Sequence, residues 1–259
     1  MSTCRARHTV PLPEMLAPLP LAGVFHEFSV AVDDVRSGVE FYERLGFSQA
    51  TTTDTFTHPY GVLTDGRLFI GLHQRAGASA TLTFVRPGIA RSLAAFAAAG
   101  IHLTRCQTGE EEFNEIAFND PFGQEVAVLE ARTYSPMARD TREVSVCGDF
   151  AEVSLPAGDF TTAKDFWEPL GFVAAEETQL PYPHLTLTSD HLDLAFHSPR
   201  LFPHPMLVFR AADMPARLEL LSALGLTLAA APAGVQGRGR SAVLEAPGAT
   251  PLLLLEDPD

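Results

Sequence analysis

In the stretch GVFHEFSVAVDD (residues 23–34) a histidine and a glutamate head an apolar run that ends in paired aspartates. Imidazole nitrogen and carboxylate oxygen can both ligate divalent ions and both move protons, so chemistry would start here. Ser29 follows Glu27 by two residues, as Ser154 follows Glu152. His73 in LFIGLHQR (68–75) matches His197 in LDLAFHSP (192–199), and Tyr60 in THPYG stands as a further pair with Tyr182 in QLPYPH. A Glu–Ser–His set in an apolar pocket would orient a ligand amine or hydroxyl, or transfer a proton. A serine on a strand is equally at home as plain hydrogen-bonded structure, and a glutamate kept in both places is also what inheritance from one ancestral copy leaves behind. Arg238 and Arg240 in QGRGR (236–240) offer two guanidiniums on a glycine-flexed loop. They would clamp a carboxylate or phosphate, pair with the acidic loop TGEEEFNE (108–115), or stay in water. No GxSxG, P-loop or CxxC pattern occurs, and Cys4, Cys106 and Cys147 read as free thiols.

The elements that must position these groups repeat. EFSVAVDDVRSGVEFYERLGF (27–47) lies over EVSLPAGDFTTAKDFWEPLGF (152–172) without a gap, and NDPFGQEVAVLE (119–130) lies over EAPGATPLLLLE (245–256). The chain is a duplication. A finer repeat runs through both halves: helices predicted over 35–45, 89–99, 160–170 and 214–224 each end at a glycine, the usual left-handed stop. Asp34, Asp159 and Asp213 stand where a carboxylate would cap a helix start. Short apolar runs such as GRLFIGLH and QEVAVLE read as strands. The order is strand–helix–strand–strand–strand, four times over, an α+β pattern.

One large domain or two ordinary ones fit in 259 residues, and 46 % apolar with 19 % charged content reads as globular. A net charge of −14 argues against nucleic acid or an anionic membrane as partner. The organisation expected is a Pro-rich leader (1–23) that neither spans a membrane nor serves well as a signal peptide, a first domain (24–130), a linker (131–147) and a second domain (148–259). A cytoplasmic location follows from this reading.

The βαβββ order, the helix-to-LGF segments and the NDPFG turn resemble the vicinal oxygen chelate superfamily, which includes glyoxalase I, extradiol dioxygenases and fosfomycin- and bleomycin-resistance proteins. The resemblance implies four modules paired into two glyoxalase-like domains, each a curled mixed sheet around a cavity, with two such cavities or one active and one vestigial. It also implies metal ligands on the first and last strands of paired modules, the first standing seven residues before a helix-starting Asp. Counting back from Asp34 and Asp159 reaches Glu27 and Glu152. Strand alternation then turns Glu27 into the cavity, His26 away from it, and Phe28 toward the helix side. The remaining ligand positions fall at Thr81 or Ser79 and Ala127 in the first half, and at Met206 and Leu253 in the second. One carboxylate per cavity does not hold a metal tightly. The QGRGR loop lies where fosfomycin-type relatives hold an anion.

The expected function is therefore a bleomycin-resistance-like protein that binds a small amphipathic molecule without a metal cofactor, as a monomer or homodimer. Aromatic residues near the pockets (Phe28, Tyr60, Tyr182 and Phe196) would stack on the ligand. The competing expectation is a glyoxalase-type lyase, isomerase or dioxygenase with Glu27 or Glu152 as base or in an atypical divalent-metal site. Donors such as His73, His197 or His204 would complete that site.

Overall fold

The computed structural model describes residues 19–51, 56–76, 80–111, 113–131, 145–236 and 240–257. Most of the leader and linker, with Cys4, Ser79 and Arg238, lies outside the described residues.

Alternating apolar and polar strands pair into two eight-stranded mixed sheets of the same topology. The first runs β2 (Ser48–Gln49), β3 (Tyr60–Thr64), β4 (Phe69–Gln74), β1 (Val24–Val32), β5 (Ala80–Arg86), β8 (Glu125–Glu130), β7 (Glu115–Asn119), β6 (Leu103–Gln107). The second runs β10 (Val173–Thr178), β11 (His184–Thr188), β12 (Asp193–His197), β9 (Asp149–Pro156), β13 (Met206–Ala211), β16 (Thr250–Glu256), β15 (Ser241–Ala246), β14 (Leu228–Ala230). Each sheet is open and joins two consecutive βαβββ modules side by side through antiparallel first strands, β1 with β5 and β9 with β13. The module pairing is thus made within the chain.

The helices α1 (Val35–Arg44), α2 (Ile89–Ala98), α3 (Phe160–Trp167) and α4 (Met214–Ala223) begin where the spacing predicts. Asp34 accepts bonds from the amides of Arg36 and Ser37, and Asp159 from that of Thr162. Asp213 does not cap. Pro215 removes one of the amides it would serve, and its carboxylate instead meets Arg217 Nε at 2.6 Å. The third helix also stops short of 170. Pro169 has no amide to continue the α pattern, so residues Glu168–Leu170 tighten into a 3-10 turn before Gly171.

The apolar faces of both sheets and the buried sides of all four helices belong to one hydrophobic cluster. Aromatic edges cross between halves, Phe47 to Phe209, Phe84 to Phe172 and Phe118 to Phe166, with centroids 6.4, 6.3 and 6.2 Å apart. The amide of Val146 bonds Leu45 O at 2.8 Å, and Arg67 meets Asp149 at 3.0 Å. Phe28 lies in this core, as its parity requires, and so does Phe196, which leaves neither to stack on a ligand. Among the described residues no helix is long and apolar enough to cross a membrane.

A shared core predicts shared unfolding. Phe84→Ala should cost about 3–5 kcal/mol and leave a single denaturant transition reported alike by probes in either half. Two separated transitions would show that the halves unfold independently.

Candidate functional site

The face of the first sheet opposite the helices is concave and carries a cavity of about 60 Å³. Glu27 forms its floor, only 2 % exposed. The hydrogen-bond partners of this carboxylate are donors. Tyr60 Oη donates to Oε2 at 2.5 Å, Ser29 Oγ to Oε1 at 2.7 Å, and His73 Nε2 lies 3.3 Å from Oε1. Thr83 Oγ1 stands 2.8 Å from Ser29 Oγ, and with the serine proton committed to Glu27 it is Thr83 that donates. His58 Nε2 lies 2.9 Å from His73 Nδ1, extending the chain from the buried floor to a half-buried imidazole.

Burial alone would raise the Glu27 pKa. The bonds from His73, Tyr60 and Ser29, with His26 nearby, outweigh it and hold the carboxyl below its ordinary value.

Two backbone features place this group. A bulge lets Phe25 pair with Phe84 and Glu27 with Thr83, so two residues of β1 span one step of β5. The extra residue is His26, which consequently lines the cavity instead of facing away as strict alternation demands. Gly71 is the second feature. A Cβ there would come within 2.2 Å of Glu27 Oε1, so the carboxylate rests on bare backbone.

Of the other residues singled out from the sequence, Ser29, Tyr60 and His73 converge here with Thr81 and Ala127. The register pairs Tyr60 with His73 and His184 with His197, so the equivalent of Tyr60 is His184, not Tyr182. Tyr182 occupies the place of His58. Sequence reasoning missed Phe56, His58, Arg75, Thr83, Arg105, Glu115 and Glu125, which surround the same space. Alternation along ATLTFVR and QEVAVLE would have brought in Thr83 and Glu125; the bulge left no signal. Arg105 Nε is held by Glu115 at 2.8 Å, Arg75 Nη2 donates to Thr81 Oγ1 at 3.4 Å, and Thr81 donates to Glu125 at 3.2 Å.

The second half repeats the frame but not the space. Tyr182, Phe202, Met206, Val208, Val243, Leu253 and Leu255 pack together where the cavity would be. Ser154 Oγ donates to His197 Nδ1 at 2.7 Å, and His197 Nε2 donates to Phe202 O at 3.0 Å, so both nitrogens are used by the neutral ring. Burial drives the His197 pKa down to about 4. Ala195 stands where the first half has Gly71, and its methyl takes the place the carboxylate would need. Burial raises the Glu152 pKa, offset in part by His184 and Arg210, and its Oε1 has no hydrogen-bond partner. The expectation of a second ligand pocket around Glu152, Ser154, Tyr182 and His197 is corrected: large apolar side chains fill it.

Among the described residues Arg240 is held within its own half. Its amide donates to Glu256 at 2.7 Å and its exposed guanidinium lies 3.9 Å from Glu219, both within its own half. It pairs with these carboxylates and not with the acidic loop of the other half. Arg238 lies outside the described residues.

The positions at which the superfamily pattern places metal donors hold Glu27, Thr81 and Ala127 in one half, and Glu152, Met206 and Leu253 in the other. Alanine and leucine offer no donor atom, and the Glu27 oxygens already accept three bonds. No three His, Cys, Asp or Glu side chains are placed to hold a metal ion among the described residues.

Two measurements probe these contrasts. Gly71→Ala should destabilise the protein by about 1–3 kcal/mol through overpacking and dislodge Glu27; unchanged stability would mean that the carboxylate has another resting place. In the second half, His197 has a folded pKa below its unfolded value. It contributes stability that is complete above pH 6.5 and lost as pH falls toward 4, about 3 kcal/mol in all. Glu152 has the opposite sign, contributing stability below pH 4.5 that is lost as pH rises through its raised pKa. His197→Gln should flatten the acid limb of stability against pH, and Glu152→Gln should raise the melting temperature at pH 7–8 more than at pH 4.

No family model matches the sequence, and no curated protein is similar to it. Solved structures do match in fold. The 2,3-dioxygenase LapB from Pseudomonas sp. KL28 superposes with a TM-score of 0.61 at 16 % identity, covering 94 % of each chain. Homoprotocatechuate 2,3-dioxygenase from Arthrobacter globiformis gives 0.62 at 14 % identity, over 97 % of this chain and 84 % of that one. The Mn(II)-bound glyoxalase from Novosphingobium aromaticivorans gives 0.58 at 14 % identity, over 90 % and 81 %. The chain shares the paired-module fold of these 2,3-dioxygenases and of the glyoxalase.

Proposed function

We propose that the protein binds a small amphipathic molecule in the concave cavity of its first half, with Glu27 as the polar anchor and without the usual catalytic metal. One observation carries this reading: a buried carboxylate kept ionised by three donors. A general base works best with a pKa near the working pH, and Glu27 is shifted the other way. Glu152 is shifted in the direction a base needs, yet apolar side chains occupy the space a substrate would take. Ala127 and Leu129 provide apolar wall next to the anchor, as an amphipathic ligand requires. The second half serves as scaffold through the common core.

A second reading, a lyase, isomerase or dioxygenase, draws support from the Glu27–His73–His58 chain and from fold neighbours named as dioxygenases and a glyoxalase. Elemental analysis of protein purified without chelator, followed by calorimetric titration with Zn, Mn, Fe and Ni, separates the two. The binding reading expects no stoichiometric metal. A single tight metal per chain that is lost in Glu27→Gln would overturn it. A thermal-shift screen of small molecules should then yield ligands whose effect disappears in Ala127→Trp, which fills the first cavity. Hits that survive that substitution would place binding elsewhere.

A further inference from the structure

Charge counting around the cavity narrows the ligand, taking as given that this cavity is the binding site. Five formally charged side chains line it: the carboxylates of Glu27, Glu115 and Glu125 and the guanidiniums of Arg75 and Arg105. Among these five, three carboxylates face two guanidiniums. Glu115 takes the Arg105 guanidinium, while Arg75 and Glu125 meet through Thr81. Glu27 is the most deeply placed of the three carboxylates, and among the described residues its bonded donors are Ser29, Tyr60 and His73, with no guanidinium among them.

A buried carboxylate is costly unless its charge is met. Ser29, Tyr60 and His73 use three of about four acceptor directions on Glu27, which leaves capacity for one further donor. A ligand carboxylate or phosphate would be repelled by Glu27, and an alcohol would leave the charge uncompensated. A protonated amine satisfies both the geometry and the charge.

The pseudo-equivalent positions of the filled half support a charge set built for this purpose. Register places Ser241, Pro251 and Ala229 where the first half has Glu115, Glu125 and Arg105, and Ala151 where it has His26. Where the space is lost, the charged wall is lost with it.

We infer that the first-half cavity recognises the ammonium group of a small amphipathic amine, which donates to Glu27 while its hydrocarbon part lies along Ala127 and Leu129. A cavity of about 60 Å³ admits such a head group and leaves the tail on the concave sheet face. The rings of Phe56 and Tyr60, which line the same space with centroids 4.6 Å apart, offer aromatic surface beside the cation.

The test is a matched series, 2-phenylethylamine, 2-phenylethanol and phenylacetate, titrated against the full chain by NMR and calorimetry. The amine should bind about tenfold or more tighter than the alcohol, the difference expected of a hydrogen bond to a charged group. The acid should not bind, and the shifts should centre on Tyr60 and Thr83. Glu27→Gln should bring the amine-to-alcohol ratio to about one, whereas Tyr60→Phe, which keeps the carboxylate, should preserve the preference and guards against a misfolded glutamine variant. Binding of the alcohol or the acid in the cavity without preference for the amine overturns the inference and leaves the binding reading standing. Silence of the amine also overturns it, and the small-molecule screen then judges the binding reading by itself.

Discussion

The first half is organised around placing one carboxylate where water does not reach. Glu27 cannot lie at the floor of the cavity unless the backbone beneath its carboxylate is bare at one position, and Gly71 supplies that position. Nor can it stay ionised there without donors, so Ser29 on its own strand, Tyr60 on β3 and His73 on β4 turn toward it. The bulge at His26 sets the register that makes these approaches simultaneous. Each condition is local, and together they dictate which residues the concave face can carry. Loss of any donor would leave buried negative charge less compensated, at a cost larger than an exposed pair would show.

The second half shows what the same frame becomes when that constraint is released. With Ala195 in the glycine's place, the carboxylate of Glu152 has no bare backbone beneath it, and an orphaned oxygen of a group pushed toward its neutral form remains. His197, freed from serving a carboxylate, locks between Ser154 and a backbone carbonyl in its neutral form. Leu253, Met206 and Tyr182 then close the space. Removing a charge and filling its cavity are two sides of one change, because an empty apolar cavity costs stability and an unpaired buried charge costs more. The sheet persists because its other face builds the core on which the first half rests.

Much of this was legible in the sequence, and the part that was not has identifiable causes. The duplication, the four helices and the module order followed from repeated segments and helix-stop glycines, since side-chain period and backbone handedness are written residue by residue. Glu27 and Ser29 could be placed on one face by alternation, and His73 joined them through the resemblance. Alternation failed at His26 because a bulge costs one residue of register and has no composition of its own. Tyr60 and Tyr182 looked equivalent by type, but the pairing of β3 and β11 with their neighbours decides equivalence, and the loops before those strands hide the two-residue offset. His58, Phe56, Arg105 and Glu115 come from loops and distant strands, and only the folded sheet brings them to the cavity. The filling of the second cavity was half visible: Met206 and Leu253 were read as lost ligands, not as volume.

Counting ligands treats an alanine and a leucine at the same position as equal losses, since neither binds a metal. Volume separates them. At Ala127 the lost donor leaves room beside an ionised carboxylate, which suits a guest that brings its own polar group. At Leu253 the side chain occupies the room, and Glu152 is left to bury itself. Two halves that score alike for a metal centre thus score oppositely for a ligand. The difference of three methylene-scale groups, together with one glycine, leaves a single chain with one open cavity and one packed one.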